Sequence, residues 1–448
     1  MNEKLNEAMN EISDAHIAQA AAPKKRNKRM RIFLSATAAV LAAAILIGIF
    51  SGPMTIHADA VALAEYPEDS SYVNVIEYKE NLAGFFTSTL AQVLGDAGSE
   101  NAAFSPMNLY FALAMLAEIA DGDTRSQLLS LLGAAQATEL RTQSSALWNS
   151  AYSTGNNPCT LANSLWLNTG IQYDQSVMDI LSTDYYASVY QRDLSESQAL
   201  KDIRAWISNE TDGLLKESVD NMLIPENAEL VLASTVYLQA RWSEKFSSAN
   251  NTEGVFHAAS GDVSCTYMNQ KRMEGNYYWG ENYSAVCKNL EGGYHMWLIL
   301  PDEGVSVDEV LESGAYTELF LCEEEDASYG SKYMYINLSL PKFDITCTQD
   351  LKEDLQALGV SDVFDLGLAD LSAGLPDNGA LAVTEIQQST RICVDEDGVK
   401  AATYIRIIGV GAAEPPSDEV DFVLDRPFVF VITSSTDLPL FAGVINNP

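Results

Sequence analysis

The chain has 448 residues and a formal net charge of −36, a balance that repels nucleic acid and anionic lipid and mainly supports solubility. A chain this long buries a large core unaided. Its six cysteines, Cys159, Cys265, Cys287, Cys322, Cys347 and Cys393, lie far apart with no CxxC pair, which argues against a disulfide framework and against a zinc site.

The N-terminus is modular. Leu5, Met9, Ile12, His16 and Ile17 recur at helical spacing in an acidic opening segment. Lys24, Lys25, Arg26, Lys28, Arg29 and Arg31 follow, and then 32–50 runs for nineteen residues without a charge, roughly 28 Å as a helix and long enough to cross a bilayer. The basic cluster predicts residues 1–31 in the cytoplasm, 32–50 as a membrane anchor and the acidic body outside the cell membrane. A cleaved signal sequence is the rival, supported by the small-x-small triplet Ala58-Asp59-Ala60, and it would give a secreted chain. Residues 51–72 mix small residues, prolines and acids and read as a linker, so the folded body is expected over 73–448.

Within that body Leu82, Phe85, Phe86, Leu90, Val93 and Leu94 form a helical stripe ended by Gly95. Ser105 is a natural N-cap with Pro106 at the first helical position, and the apolar helix after it is predicted to be buried almost all round. Residues 230–246 read as an apolar strand that leaves its sheet at Trp242, and 296–301 as a buried strand. Leu351, Leu355 and Leu358 belong to a helical run ended by Gly359. No internal repeat or low-complexity tract divides the body.

The material for hydrolysis is missing. The histidines are His16, His57, His257 and His295, and no GxSxG, HExxH or P-loop occurs, so nucleophilic, zinc-protease and nucleotide chemistry lack their parts. His257 and His295 read as structural or surface residues, and Glu323, Glu324 and Glu325 as a solvated loop. No catalytic residue, metal or cofactor is expected.

The informative stretch is 394–414. From Val399 to Ile407 one alternate face carries Val399, Ala401, Thr403, Ile405 and Ile407, the other Lys400, Ala402, Tyr404, Arg406 and Ile408, which is the pattern of a half-buried strand. It runs straight into the loop sequence GVGAAEPPSDE. Gly398 supplies free backbone torsions just before the small residues. An ordinary strand ending in a turn is one reading. A dinucleotide loop after IRII fails, because Glu414 stands where the third glycine belongs and Pro415 and Pro416 forbid the following helix.

Downstream, Phe422 through Asp425, Arg426, Pro427 and Phe428 to Ile432, with the closing LPLFAGVINNP, resembles the signature of the serpins, protease inhibitors that insert their own bait loop as a strand. Asn163-Ser164-Leu165-Trp166, the helix and Thr-x-Gly turn of 203–215, Leu340-Pro341-Lys342-Phe343 and Ala369-Asp370-Leu371-Ser372 resemble serpin segments in family order. The resemblance implies an α+β serpin fold with three β-sheets, about nine helices and an exposed reactive-centre loop. It also implies a suicide substrate: a serine protease attacks the loop, forms an acyl-enzyme, and is trapped when the loop inserts into the main sheet.

Carried over by position, the loop hinge is Glu396, Gly398, Val399, Lys400, Ala401, Ala402 and Thr403, with Val399 and Lys400 departing from the usual residues. By the family's usual distance from Gly398, the scissile bond falls near Ala412-Ala413. Small side chains around it suit an elastase-like or subtilisin-like target. The polar cluster where the sheet parts is expected at Ser105, Asn108, Ser234 and Gln388, with Trp242 near the top. The chain is expected to act as a monomer whose partner is the target protease. A serpin-fold binding or storage protein that has abandoned inhibition is the alternative, and an extracytoplasmic sensor coupled to residues 1–31 is a third.

Overall fold

The computed structural model describes residues 54–64, 66, 75–95, 98–154, 157–220, 222–225, 227–322, 327–384, 386–399 and 416–448. The expected anchor, 32–50, and most of the expected reactive loop lie outside them. No described helix is long and apolar enough to cross a membrane.

The helix on which the fold is built starts where the sequence places it. Six helices matter for the site: α1 (Ile76–Gly95), α2 (Pro106–Ile119), α3 (Gly122–Leu131), α4 (Ala137–Ala151), α5 (Gln175–Asp184) and α6 (Ser197–Glu210). At the head of α2, Ser105 is extended and its Oγ accepts the Asn108 N–H at 3.1 Å, while Pro106 occupies a position whose N–H would have no intrahelical partner. Every residue of α2 except Ala112 is buried, as expected of a helix apolar on all sides.

The strands in chain order are β1 (Asp59–Ala62), β2 (Ala102–Phe104), β3 (Cys159–Asn168), β4 (Ala187–Arg192), β5 (Leu230–Leu238), β6 (Ala240–Arg241), β7 (Thr252–Ala258), β8 (Gly261–Trp279), β9 (Tyr283–Asn289), β10 (His295–Pro301), β11 (Gly330–Pro341), β12 (Phe343–Asp350), β13 (Gln387–Val394), β14 (Gly398–Val399), β15 (Glu419–Val423), β16 (Phe428–Thr433) and β17 (Pro439–Ile445). They form three hydrogen-bonded sheets. The largest runs β15-β11-β8-β9-β10-β16-β17-β2, with β7 on β8. The other two, β1-β4-β3-β5 and β12-β13-β14-β6, are halves of one layer, because β6 continues β5 after a single intervening residue. Every residue of the C-terminal hairpin strands β16 and β17 is buried, as the hydrophobic run FVFVIT requires.

One boundary differs from the sequence reading. The compact unit begins at Met54, not near Val73, and the stretch read as linker carries β1, whose Asp59, Ala60 and Ala62 pair with Gln191, Tyr190 and Val189 of β4. Alanines and an acid give no alternation to read; the strand exists because β4 presents a free edge for it to complete. The expected strand over 230–246 is also divided. β5 ends at Leu238, Gln239 N–H bonds Pro158 O, and Trp242 is fully buried just beyond β6.

Two apolar clusters flank the divided sheet. The larger, between the sheets and α1, α2 and α4, takes Val236 and Leu238 from β5. The second lies under α6 and joins Ile203, Trp206 and Ile207 to Ala162, Trp166 and Ala233. Even-numbered residues of β5 therefore face inward and odd-numbered ones face α6, the period of two expected of a strand.

Candidate functional site

The site is the seam between the two half-sheets. At its upper end Gly398 and Val399 lie as strand β14 between β13 and β6, with Val399 opposite both Val394 and Ala240 and only 4% exposed. Asp395 and Gly398 exchange backbone hydrogen bonds of 3.2 and 3.3 Å. Gly398 has φ of +141°, and a Cβ there would lie 2.5 Å from Ala240 O and from the Arg241 Cα, so glycine is required by close packing as well as by torsion.

The turn leading into β14 is clamped from three sides. Trp242 donates its backbone N–H to Asp397 O at 3.2 Å and its indole N–H to Asp395 O at 2.8 Å. Glu396 accepts Lys342 Nζ at 2.5 Å and Asn251 Nδ2 at 2.6 Å, and the Lys342 contact holds its carboxyl below the usual range. Lys245 pairs with Asp397 at 2.6 Å. Beneath the indole, Lys288 Nζ lies 5.2 Å from the Trp242 ring centroid and 4.5 Å from that of Phe246, and it donates to Glu244 O and Gln270 Oε1. Burial pushes its ammonium down to about 8.

Below β14 no ladder joins β5 to β13. The direction of their backbone groups follows from bonds at their ends. Asn168 N–H bonds Glu229 O and Gln239 N–H bonds Pro158 O, so odd residues of β5 are the hydrogen-bonded partners of β3. The N–H and C=O of Leu230, Leu232, Ser234, Val236 and Leu238 consequently point across the seam. Leu351 N–H bonds Ile386 O, so even residues of β13 bond β12, and Gln387, Ser389, Arg391 and Cys393 point across the seam from the other side. Toward its lower end the seam opens into a cavity of about 770 Å³ floored by Leu109, Ala112 and Leu116 of α2 and walled by Leu232, Ser234 and Gln388.

The polar residues expected here do meet. Gln388 Oε1 accepts the Ser105 N–H at 2.8 Å while its Nε2 donates to Ser105 O at 3.2 Å, and Ser105 Oγ donates to Leu440 O at 2.6 Å. Asn108 Nδ2 donates 2.8 Å to Ser234 O, one of the carbonyls that points across the seam. Trp242 stands apart from this cluster, at the clamp above. The sequence reading named Asn163 as part of a serpin-like segment but not in this cluster, where its Oδ1 accepts Ser234 Oγ at 2.6 Å and its Nδ2 donates to Tyr185 O. An amide inside the apolar run LANSLWL is the signal that marks it. Lys400, Ala401, Ala402, Thr403 and the Ala412-Ala413 bond lie outside the described residues.

A family model described as serpin (serine protease inhibitor) matches residues 81–448. The chain belongs to the serpin family. Serpin-Z2B of Oryza sativa subsp. japonica is 28% identical over 390 residues, covering 79% of this chain and 93% of its own. Serpin-ZX of Arabidopsis thaliana is 26% identical over 387 residues, covering 82% and 96%. Among solved structures, the thermophilic serpin tengpin in its native state aligns with a TM-score of 0.73 at 27% identity, covering 87% of this chain and all of that one. The architecture is the serpin fold, mixed α+β with three sheets, and membership places the chain among inhibitors rather than enzymes.

Two outcomes follow from this serpin's seam. Replacing Gln388 with Ala leaves the buried Ser105 N–H and C=O without their side-chain partner and is expected to lower stability by about 1–3 kcal/mol. Thermal unfolding checks it, and an unchanged midpoint with unchanged spontaneous polymerisation contradicts it. Because the folded Glu396 carboxyl titrates below its unfolded range, its clamp is complete above that range and is lost as pH falls through the lowered value. Lys342→Ala should return that titration toward the ordinary carboxylate range, so the variant is the less stable protein at neutral pH and the difference between the two narrows as pH falls through the lowered value. Identical acid profiles for the two proteins would rule out the clamp.

Proposed function

We propose that this serpin is a suicide inhibitor of an extracytoplasmic serine protease, cut at or near Ala412-Ala413 and driven by insertion of residues 400–409 into the seam. The observation that carries the reading is the seated hinge. Asp397 O already bonds toward β6 and Gly398 toward β13, so odd loop residues are set to bond the β5 side and even ones the β13 side. Continuing that register places Ala401, Thr403, Ile405, Ile407 and Gly409 opposite Leu238, Val236, Ser234, Leu232 and Leu230. Lys400, Ala402, Tyr404 and Arg406 fall opposite Cys393, Arg391, Ser389 and Gln387.

The even residues of β5 and the odd residues of β13 are those whose backbone groups cross the seam, so both edges are complementary to one strand without a bulge. At two bonds per position the inserted strand gains about 18 hydrogen bonds, on the order of 15–20 kcal/mol at about 1 kcal/mol each. Val399, Ala401, Thr403, Ile405 and Ile407 face inward in this register, while charged Lys400 and Arg406 and bulky Tyr404 face outward. Fifteen residues from Gly398 to Ala412 span about 50 Å as a strand, enough to carry an acylated protease to the far end.

Gly409, Val410, Gly411 and Ala412 present small side chains, which suits the shallow pocket of an elastase-like or subtilisin-like enzyme. The body sits outside the cell membrane on an uncleaved helix over 32–50. Support comes from β1, since a cut after Ala60 would divide that strand. Incubating the full chain with elastase-like and subtilisin-like proteases should give a covalent complex that survives denaturing electrophoresis and a released fragment beginning at or near Ala413. A cut after Arg406 with stable complex formation refutes the bond assignment. Turnover without any complex would place the chain with the binding or storage proteins that share the fold.

A further inference from the structure

Residues 54–64 and Tyr66, which precede the part of the chain matched by the family model, form a strap around the free edge of the divided sheet. Met54 is held by a reciprocal pair, its N–H donating to Asn209 Oδ1 at 2.8 Å and its O accepting Asn209 Nδ2 at 2.9 Å at the end of α6. Ile56 and Ala58 pack with the cluster under α6, Val61 and Ala62 with the larger core, and Tyr66 with both. Between these points β1 is laddered to β4, and Ala64 N–H donates to Ser188 Oγ. The strap ends on α4, where the Tyr66 ring lies 5.6 Å from Trp148 at an interplanar angle of 5° and 5.8 Å from Tyr152.

This arrangement crosses the boundary that must shear. Admitting a strand between β5 and β13 moves β5 away from β13, with β3, β4 and the α6 that packs on them. Arg192 of β4, 3.1 Å from the buried Asp202 of α6, makes that group travel as one body. Helix α4 is tied to α2 behind the sheet by Arg141, 2.8 Å from the buried Glu118 of α2. Tyr66 is therefore fixed to β4 through β1 and to α4 through its ring stack, beside the 4.0 Å stack of Trp148 on Tyr186 just before β4.

We propose that this strap is a brake on loop insertion, holding the sheet closed until a protease has acted on the loop. The proposal rests on the insertion reading above and concerns its regulation. The test compares full-length wild type with Tyr66→Ala, Asn209→Ala and Tyr66→Phe, first for heat resistance after the loop is nicked, then for the rate at which un-nicked protein loses inhibitory capacity at a fixed raised temperature. Tyr66→Ala and Asn209→Ala should convert about five- to tenfold faster, with Tyr66→Phe, which keeps the stack, at the wild-type rate. Equal rates in all four proteins, including no conversion in any, overturn the brake while leaving insertion standing. A wild type that gains no heat resistance on nicking overturns insertion itself and the brake with it.

Discussion

The structure depends on two strand edges that face each other without being laddered. β5 and β13 both sit mid-layer, where an ordinary sheet would pair them, and each turns alternate backbone groups toward the other across the seam. Backbone donors and acceptors in such a position represent unrealised bonding, because each can be satisfied better by a neighbouring strand than by water or a side chain. Asn108 supplies one such stopgap, its amide reaching from α2 to the carbonyl of Ser234. The parity of the edges decides what can fill them: one strand, antiparallel to both, in the register that Gly398 and Val399 have already begun.

Directed contacts hold the seam at its upper turn, its lower end and its outer edge. Trp242 fixes the turn of Asp395 and Asp397 by two hydrogen bonds, and Lys342 and Asn251 hold Glu396 beside it. Lower down, Gln388 ties β13 to the head of α2 through both backbone groups of Ser105. At the outer edge the strap fastens β4 and α6 to α4. These contacts are polar or aromatic and few, while the floor of the seam is apolar and continuous. Such a division suits the proposed insertion, since breaking a small number of directed contacts would release the whole edge.

Much of this was legible in the residues, for reasons that differ from place to place. The capped apolar helix after Ser105 and the buried hairpin at the C-terminus follow from patterns that depend only on neighbours in sequence. Gln388 and Asn108 were locatable only because order along the chain resembles the serpins, since a sequence separation of 283 between Ser105 and Gln388 leaves no local trace of their meeting. Gly398 was read for its torsions, but the approach of Ala240 O is a tertiary fact that no local pattern carries. Strand β1 was missed because its alanines have no face of their own. It is a strand by virtue of the edge it completes, and the aromatic that anchors it, Tyr66, stands among acids and prolines that read as linker.

Amide hydrogen exchange, residue by residue, before and after the loop is nicked, tests the central claim most directly. The expected result is parity: on nicking, the amides of Leu232, Ser234 and Val236 in β5 and of Gln387 and Ser389 in β13 slow by orders of magnitude, while Val231, Ala233 and Thr235, already bonded to β3, change little. Unchanged exchange at the even positions of β5, or equal slowing at odd and even ones, would contradict a strand entering the seam.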